Sequence, residues 1–180
     1  MTTPNWIAVP LQIKAFHRAK PATAFAWLES LLLEAGWRLF FRPKRKFSWA
    51  NPLLRSLVLA GESREGLVGT EFGASLFAHE FCHVRQWGPK RLVACWRFAQ
   101  YFLRPSVRVA MEIEAHAHGS VVFALVAFSK VMPKSDLKTV AKADAEAVGL
   151  RMAGWRFRGS GLDVEALFTA RVGSLLEEIV

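Results

Sequence analysis

The chain has 180 residues, of which 52% are hydrophobic, including fourteen Phe and seven Trp. This composition predicts one domain with a sizeable core and excludes disorder for most of the chain. The net charge of +9 fits a nucleic acid, an anionic membrane or an acidic substrate as partner, and fits equally well a charge that only maintains solubility.

The first seventy residues predict short strands and one helix. Apolar residues recur at helical spacing from Ala22 to Glu34, and Gly36 is a plausible end of that helix. The predicted strands are Ile7–Ile13 (interrupted by Pro10), Leu53–Ala60 and Leu67–Gly69. Residues 61–66 predict the turn between the last two strands.

The segment from Trp37 to Trp49 combines cations and aromatic residues more densely than any other part of the chain. One interpretation is a contact surface for a nucleic-acid backbone or a membrane, where aromatic side chains lie beside basic groups. The other is a strand and a turn, whose aromatics enter the core while the cations face water. Pro43 favours this second interpretation, so we expect a strand and a turn and do not expect a nucleic-acid partner.

The remainder of the chain predicts helices. The fold class is therefore α+β, mostly α, with a small N-terminal sheet packed on the helix at residues 70–88. Within a single domain of residues 1–180, we expect an N-terminal extension (1–50), a catalytic core (53–130) and C-terminal helices (134–180). The later predicted elements are helices at Lys90–Leu103, Ser106–Lys130, Asp136–Val148 and Val164–Ile179, with Asp163 as a cap, and a loop or short strand at Arg151–Gly161.

The pattern H-E-x-x-H, formed by His79, Glu80 and His83, predicts a metal site. Residues four apart on a helix lie about 40° apart around its axis, so both imidazoles can aim at one Zn²⁺ ion. Glu80 lies about 100° further round, where it can accept a proton from a water molecule at the metal. Thr70 is a candidate N-cap and Gly88-Pro89 a candidate end for this helix. The alternative is a helix with two histidines at the edge of the core.

A catalytic zinc site needs a third protein ligand. Pro89 occupies the position where metzincins have their third His, which excludes that class. The helix after Pro105 offers two pairs of residues four apart, Glu112 with His116 and Glu114 with His118, on nearly opposite faces. Either pair can face the metal, while the other faces solvent or a different layer.

The motif H-E-x-x-H, followed about thirty residues later by the E-x-x-A motif at Glu112–Ala115, resembles the gluzincin class of zinc metallopeptidases. It is most similar to the minigluzincins and the M48-type catalytic core, and to a bacterial peptidase-like family with H-E-x-x-H-V-R-Q and E-x-E-A motifs. The resemblance implies that His79, His83 and Glu112 hold the zinc and that Glu80 is the general base. His116 stands where the lineage often has Asp, and it would orient Glu112 or stabilise an oxyanion.

The leading hypothesis is thus a zinc metallopeptidase acting on peptide or protein substrates. Tyr101 and Arg97 are weaker oxyanion candidates, and a core role for Tyr101 is the commoner alternative. Two other hypotheses remain: a zinc-binding, catalytically inactive peptidase-like module, and a basic nucleic-acid-binding protein in which the motif is coincidental.

Three features of the sequence bear on where in the cell the protein is found. Residues 1–9 lack the features of a signal peptide. The longest uncharged apolar run, Gly119–Phe128, has about ten residues, too few to span a bilayer. Cys82 and Cys95 do not form a disulfide framework, and free thiols fit a reducing compartment. We therefore expect a cytoplasmic protein without a transmembrane segment, or one released without a classical signal, and a buried packing role for Cys82.

Overall fold

The structure is a computed structural model that describes residues 4–8, 11–151 and 163–178. Seven helices and three strands follow a short 3-10 helix, Ile13–Phe16, in these residues. The strands are β1 (Arg38–Arg42), β2 (Trp49–Asn51) and β3 (Ser56–Ala60). The helices are α1 (Pro21–Glu34), α2 (Arg64–Val68), α3 (Glu71–Trp87), α4 (Arg91–Leu103), α5 (Pro105–Phe128), α6 (Lys134–Arg151) and α7 (Val164–Glu177).

The predicted fold class, α+β and mostly α, is confirmed. β3 lies in the middle of the sheet, parallel to β1 and antiparallel to β2, and all five of its residues are buried. Its continuous apolar run, Leu57–Ala60, fits a strand covered on both faces. The sheet packs on α3 through β2 and β3, so part of the structure under α3 comes from the predicted N-terminal extension.

The helix that carries the H-E-x-x-H motif has the predicted ends. The Thr70 hydroxyl accepts a hydrogen bond from the Gly73 amide at 3.0 Å, and Glu71 lies in the first turn. Gly88 ends α3 with φ of +80°, a conformation that favours glycine. α3 is therefore a helix of 17 residues, nearly all buried in its C-terminal half.

The central core helix is α5, which packs most extensively on α3 and then on α7 and α6. Among the described residues it is the one helix long and apolar enough to cross a membrane by length and composition. Its apolar window is 83% buried by the rest of the protein, as in a core helix. Its buried apolar face explains the uncharged run at residues 119–128.

Two predicted strands are wrong. The segment Leu67–Gly69 ends helix α2, which Ser63 caps by accepting a hydrogen bond from the Gly66 amide at 3.3 Å. Leu67 is fully buried, so this short apolar segment reflects core packing and not a strand. The described part of Ile7–Ile13 contains no strand, and Ile13 begins the 3-10 helix. Pro10 has no amide hydrogen for a strand ladder.

The aromatic and basic segment at residues 37–49 is a strand and a turn, as predicted, but the expectation that its aromatics enter the core is only partly right. Trp37 is buried and Phe41 is half-buried. Phe47 and Trp49, by contrast, are 70% and 40% exposed. Phe40 is also exposed, because the side chains of β1 alternate and the outward face carries it.

The C-terminal helices form a layer on α5. Asp163 caps α7 by accepting a hydrogen bond from the Ala166 amide at 3.0 Å, as predicted. Leu137 and Ala141 of α6 are buried, so this charged helix also contributes to the core. The loop or strand predicted up to Gly161 lies outside the described residues, apart from Arg151, which ends α6.

Candidate metal centre

The site lies where α3 and α5 cross. Gly119 of α5 allows the close approach, because a Cβ there would lie 3.3 Å from the Ser75 carbonyl oxygen and 3.4 Å from the His79 Cβ. The Ser75 hydroxyl donates to the Gly119 carbonyl at 2.9 Å and ties the two helices together. Gly119 and Ser75 thus allow His79 to lie within reach of the polar face of α5.

Three side chains converge at this crossing: His79 from α3, and Glu112 and His116 from α5. One nitrogen or oxygen of each lies within 4.8 Å of the others. The His116 Nε2 is 3.8 Å from Glu112 Oε2, and the rings of His79 and His116 have centroids 4.2 Å apart. Ligand atoms of a tetrahedral zinc lie about 3.4 Å apart, so small side-chain rotations would suffice to hold a metal.

His83 lies beside this cluster. Its Nε2 is 3.8 Å from the other oxygen of Glu112, and its ring centroid is 5.0 Å from that of His79. The crossing therefore holds four candidate donors, of which His79, Glu112 and His116 converge within 4.8 Å and His83 lies on the other side of Glu112. Glu112, only 1% exposed, lies between the two histidines that contact its two oxygens.

Gln86 determines which nitrogen of His83 faces the cluster. The Gln86 amide nitrogen donates to the carbonyls of Ile7 and Met111, both at 3.2 Å, which assigns the amide orientation. Its Oε1 therefore accepts from His83 Nδ1 at 2.9 Å. The His83 Nε2 is left to face Glu112, the arrangement that orients a metal-ligating histidine.

The charge of this site alters the protonation of His83 in the metal-free protein. Burial by itself lowers the pKa of His83, but the negative charge of Glu112, a hydrogen bond to it, the charge of Glu80 and the Gln86 contact outweigh burial and raise the pKa. A metal cation at the same point would take the place of this proton, because a ligating imidazole has to be neutral.

Tyr101 of α4 contacts the cluster through Glu112. Its hydroxyl donates a short hydrogen bond to Glu112 Oε1, and the side chain is buried. The sequence offered Tyr101 as an oxyanion candidate, whereas the structure places its hydroxyl on the carboxylate. The contact fixes the orientation of Glu112. Arg97, the other candidate, donates to the Gln86 carbonyl at 2.7 Å and stacks on Trp6 at 4.6 Å.

A pocket of about 290 Å³ opens beside the cluster. Glu80, His83 and Glu112 line its floor, and β2 and α4 form its walls with Trp49 and Phe102 among the lining residues. Glu80 is 5% exposed, on α3 next to His79. A molecule in this pocket would therefore contact the motif glutamate and two of the four donors.

The opposite face of α5 has a different role. Glu114 binds Arg171 of α7 through two hydrogen bonds of 2.6 and 2.7 Å. His118 is fully buried, with Nδ1 2.8 Å from the Glu114 carbonyl and 3.9 Å from Cys82 Sγ. Burial, and then the charge of Glu114, raise the pKa of the Cys82 thiol well above its usual value. The predicted burial of Cys82 is confirmed, and this second pair faces the α7 layer.

The structure thus places His79, Glu80, His83, Glu112 and His116 around one crossing, but His83, a predicted ligand, is outside the group that converges most closely. It adds His116 to the group with the closest convergence, where the sequence expected a supporting role. It also adds Gln86, whose contribution the sequence reasoning missed. The only available signal was its position three residues after His83 on the same helix.

Comparisons with known proteins find no match: no family model fits the chain, and neither the curated proteins nor the solved structures give a similar protein. The resemblance to gluzincins therefore remains a prediction that rests on the motif residues.

Proposed function

We propose that this protein is a zinc-dependent metallopeptidase whose metal is held by His79, Glu112 and a further histidine at the α3–α5 crossing. One observation carries the proposal. His79, Glu112 and His116 are largely buried and offer ligand atoms within 4.8 Å of one another, and Glu80 follows His79 in the chain.

The donor set suits zinc. Imidazole nitrogens and one carboxylate are common ligands of zinc, and catalytic zinc sites combine three such protein ligands. Hydrogen bonds from Tyr101 to Glu112 and between Gln86 and His83 orient two of the donors in advance. When bound, zinc supplies a Lewis acid that polarises a carbonyl group and acidifies water.

The residues of the chain would carry out the remaining steps. Glu80 lines the pocket and would accept the proton of the attacking water, then donate it to the amine that leaves when the peptide bond breaks. The walls from β2 and α4 would hold the substrate over Glu80 and Glu112. Burial of the site excludes bulk water from the reacting groups.

A second candidate function is a zinc-binding module without catalysis, and His116 specifically favours it. Structural zinc sites use four protein ligands and are closed, whereas catalytic sites keep one position open. His79, Glu112 and His116 converge, and His83 lies 3.8 Å from Glu112 as a fourth candidate donor. If all four bind the metal, no position is left for water.

The test compares wild type with Glu80→Gln, with Glu71→Gln as a control on the same helix but outside the cluster. Each protein is assayed for zinc content and for cleavage of a mixture of fluorogenic peptides. The peptidase proposal expects all three to hold zinc and only Glu80→Gln to lose cleavage, because the base is removed while the ligands remain.

The other outcomes separate the candidates. Zinc in all three proteins with no cleavage by wild type supports the non-catalytic module. Cleavage at the wild-type rate by Glu80→Gln refutes the assigned base. Absence of zinc from all three proteins refutes both functions.

A further inference from the structure

The positive charge of this protein is concentrated in two segments of the sequence. Residues 35–61 and 81–111 contain no Asp or Glu, yet they carry 12 of the 24 basic residues. All 15 acidic residues lie elsewhere, so the rest of the chain has three more acidic than basic residues. A net charge of this size could serve solubility alone. The uneven distribution of the basic and acidic residues, however, indicates that one part of the protein is strongly basic.

The same two segments expose most of the large hydrophobic side chains. Ten of the fourteen that are exposed among the described residues lie in them. They are Phe40, Phe47, Trp49, Leu53, Leu54, Leu92, Val93, Trp96, Phe102 and Leu103. Such a concentration is unusual for a surface that contacts only water.

Helix α4 shows the pattern most clearly. Leu92, Trp96 and Leu103 are 86%, 62% and 79% exposed and lie within about 40° of one another around the helix axis. The side turned to the protein carries Ala94, Gln100 and Tyr101, which are buried, and Phe98, which packs against the core. α4 therefore has an apolar stripe on its outward side in addition to its core contacts, whereas the outward side of a surface helix is usually polar.

Contacts show that the two segments lie side by side. Trp49 of β2 and Phe102 of α4 line the same pocket, beside Glu80. Arg55, in the turn after Leu53 and Leu54, donates a short hydrogen bond to the carbonyl of Pro89, just before α4. The exposed residues of the β1–β2 loop, the β2–β3 turn and α4 thus form one surface around the pocket, here called the basic apolar face.

We propose that the basic apolar face binds the surface of an anionic lipid bilayer, with the apolar side chains inserted at the headgroup level and the cations on the lipid phosphates. An anionic bilayer would interact with both the cations and the exposed apolar side chains. Cations near the surface gain from the negative potential of anionic lipids, and exposed Leu, Phe and Trp gain from transfer into the interface.

The exposed leucines favour a bilayer over a nucleic acid. Aromatic residues and cations can stack on bases and pair with phosphates in either case. Leu92 and Leu103, the most exposed residues of the α4 stripe, cannot stack and have no polar group for a base or a phosphate. Only an apolar environment removes them from water, and the acyl boundary of a membrane supplies one.

Docking in this orientation places the pocket mouth at the lipid surface, because Trp49 and Phe102 belong to both the pocket and the face. The cations and the α4 stripe lie outside the candidate metal cluster. Membrane binding consequently does not depend on the proposed function, and failure of one leaves the other intact.

The experiment measures binding of the full-length chain to vesicles by sedimentation and by Trp fluorescence. Vesicles of phosphatidylcholine alone are compared with vesicles that hold phosphatidylcholine and phosphatidylserine in a ratio of about 7:3. The first variant neutralises the β1–β2 loop with Lys44→Gln, Arg45→Gln and Lys46→Gln. The second variant removes apolar side chains from α4 with Leu92→Ser and Trp96→Ser.

We expect binding to the anionic vesicles only, decreasing as salt rises. Each cation at the surface contributes about fivefold, so the loop variant should bind about a hundredfold more weakly. The α4 variant should lose at least about tenfold, because two apolar side chains no longer enter the interface. A blue shift of Trp fluorescence on binding should be present in wild type and smaller in the α4 variant.

Matched controls change the same residue types elsewhere on the surface. Lys20→Gln, Lys130→Gln and Lys138→Gln remove three exposed cations outside the face, and Val131→Ser with Leu167→Ser removes two exposed apolar side chains. These controls should bind anionic vesicles within about twofold of wild type. Circular dichroism of every variant verifies that its fold is retained.

Three results would overturn the proposal. The first is no binding to anionic vesicles at low salt. The second is an equal loss of binding in the face variants and their controls. The third is binding to a DNA or RNA duplex that is tighter than binding to anionic vesicles and is unchanged in the α4 variant, which would identify a nucleic acid as the partner.

Discussion

Glu112 and Glu114 are two buried carboxylates two residues apart, and removing them should change different properties of the protein. Glu112 lies at the metal cluster between His83 and His116, whereas Glu114 faces α7 and binds Arg171. Replacing each by Ala removes the same chemical group from the same helix. Glu112→Ala should affect zinc affinity, and Glu114→Ala should affect stability.

The expected magnitudes follow from the contacts. Loss of a group that only orients a ligand lowers metal affinity about ten- to a hundredfold, so loss of Glu112 as a ligand should exceed that range. Glu114→Ala leaves Arg171, whose side chain is 23% exposed, without its two hydrogen bonds. Breaking a buried ion pair costs about 3–5 kcal/mol, and this partial exposure favours the lower end, about 3 kcal/mol. For a chain of this size, the Tm should fall by about 10 °C.

Two measurements are combined. Zinc affinity is titrated against a competing chelator, and thermal unfolding of the metal-free proteins is monitored by circular dichroism. Glu112→Ala should lose zinc with a smaller change in Tm, and Glu114→Ala should keep wild-type zinc affinity with the larger loss of Tm. The reverse pattern, zinc lost in Glu114→Ala and kept in Glu112→Ala, would refute the assignment of the two faces of α5.

Two further predictions concern residues around the cluster. Gln86→Leu removes the hydrogen-bond partner of His83 Nδ1, so zinc affinity should fall about ten- to a hundredfold in a chelator competition; unchanged affinity in the folded variant would contradict an orienting role. His118 has a pKa lowered mainly by burial, so between that pKa and about 6.5 this side chain is protonated more in the unfolded chain than in the fold, and its contribution to stability is lost as pH falls through this window. His118→Gln should flatten that loss in urea unfolding of the metal-free protein across pH 6.5, and identical pH profiles for variant and wild type would contradict it.

The contribution of His83 to stability has the opposite pH dependence. Both proteins have to be compared without metal, because a bound metal would displace the proton of His83. Its pKa is raised in the fold, so its contribution to stability is present at low pH and is lost as pH rises through the raised value. Since His83 is unchanged in His118→Gln, the difference between the two pH profiles isolates the contribution of His118.

Local signals allowed much of the fold to be predicted. Thr70 and Gly88 mark the ends of α3, because N-caps and glycine C-caps act within a few residues of the chain. The four-residue spacing divided α5 into the Glu112 and Glu114 faces, which the structure places toward α3 and α7. The first inference depends on local capping chemistry and the second on helix geometry.

Contacts between distant parts of the chain could not be predicted. The role of Gln86 depends on carbonyl groups of Ile7 and Met111, which lie 79 and 25 residues away. The convergence of His116 with His79 depends on how closely the two helices approach at Gly119. The short helix α2 was mistaken for a strand, because a pair of apolar residues has no measurable period.

The most direct test of the metal centre is the zinc content of the protein purified without added metal, measured by elemental mass spectrometry. We expect about one zinc per chain in the wild type and a strong loss in Glu112→Ala. A wild-type chain that carries no transition metal after gentle purification, and that takes up no zinc when it is supplied, would contradict the account.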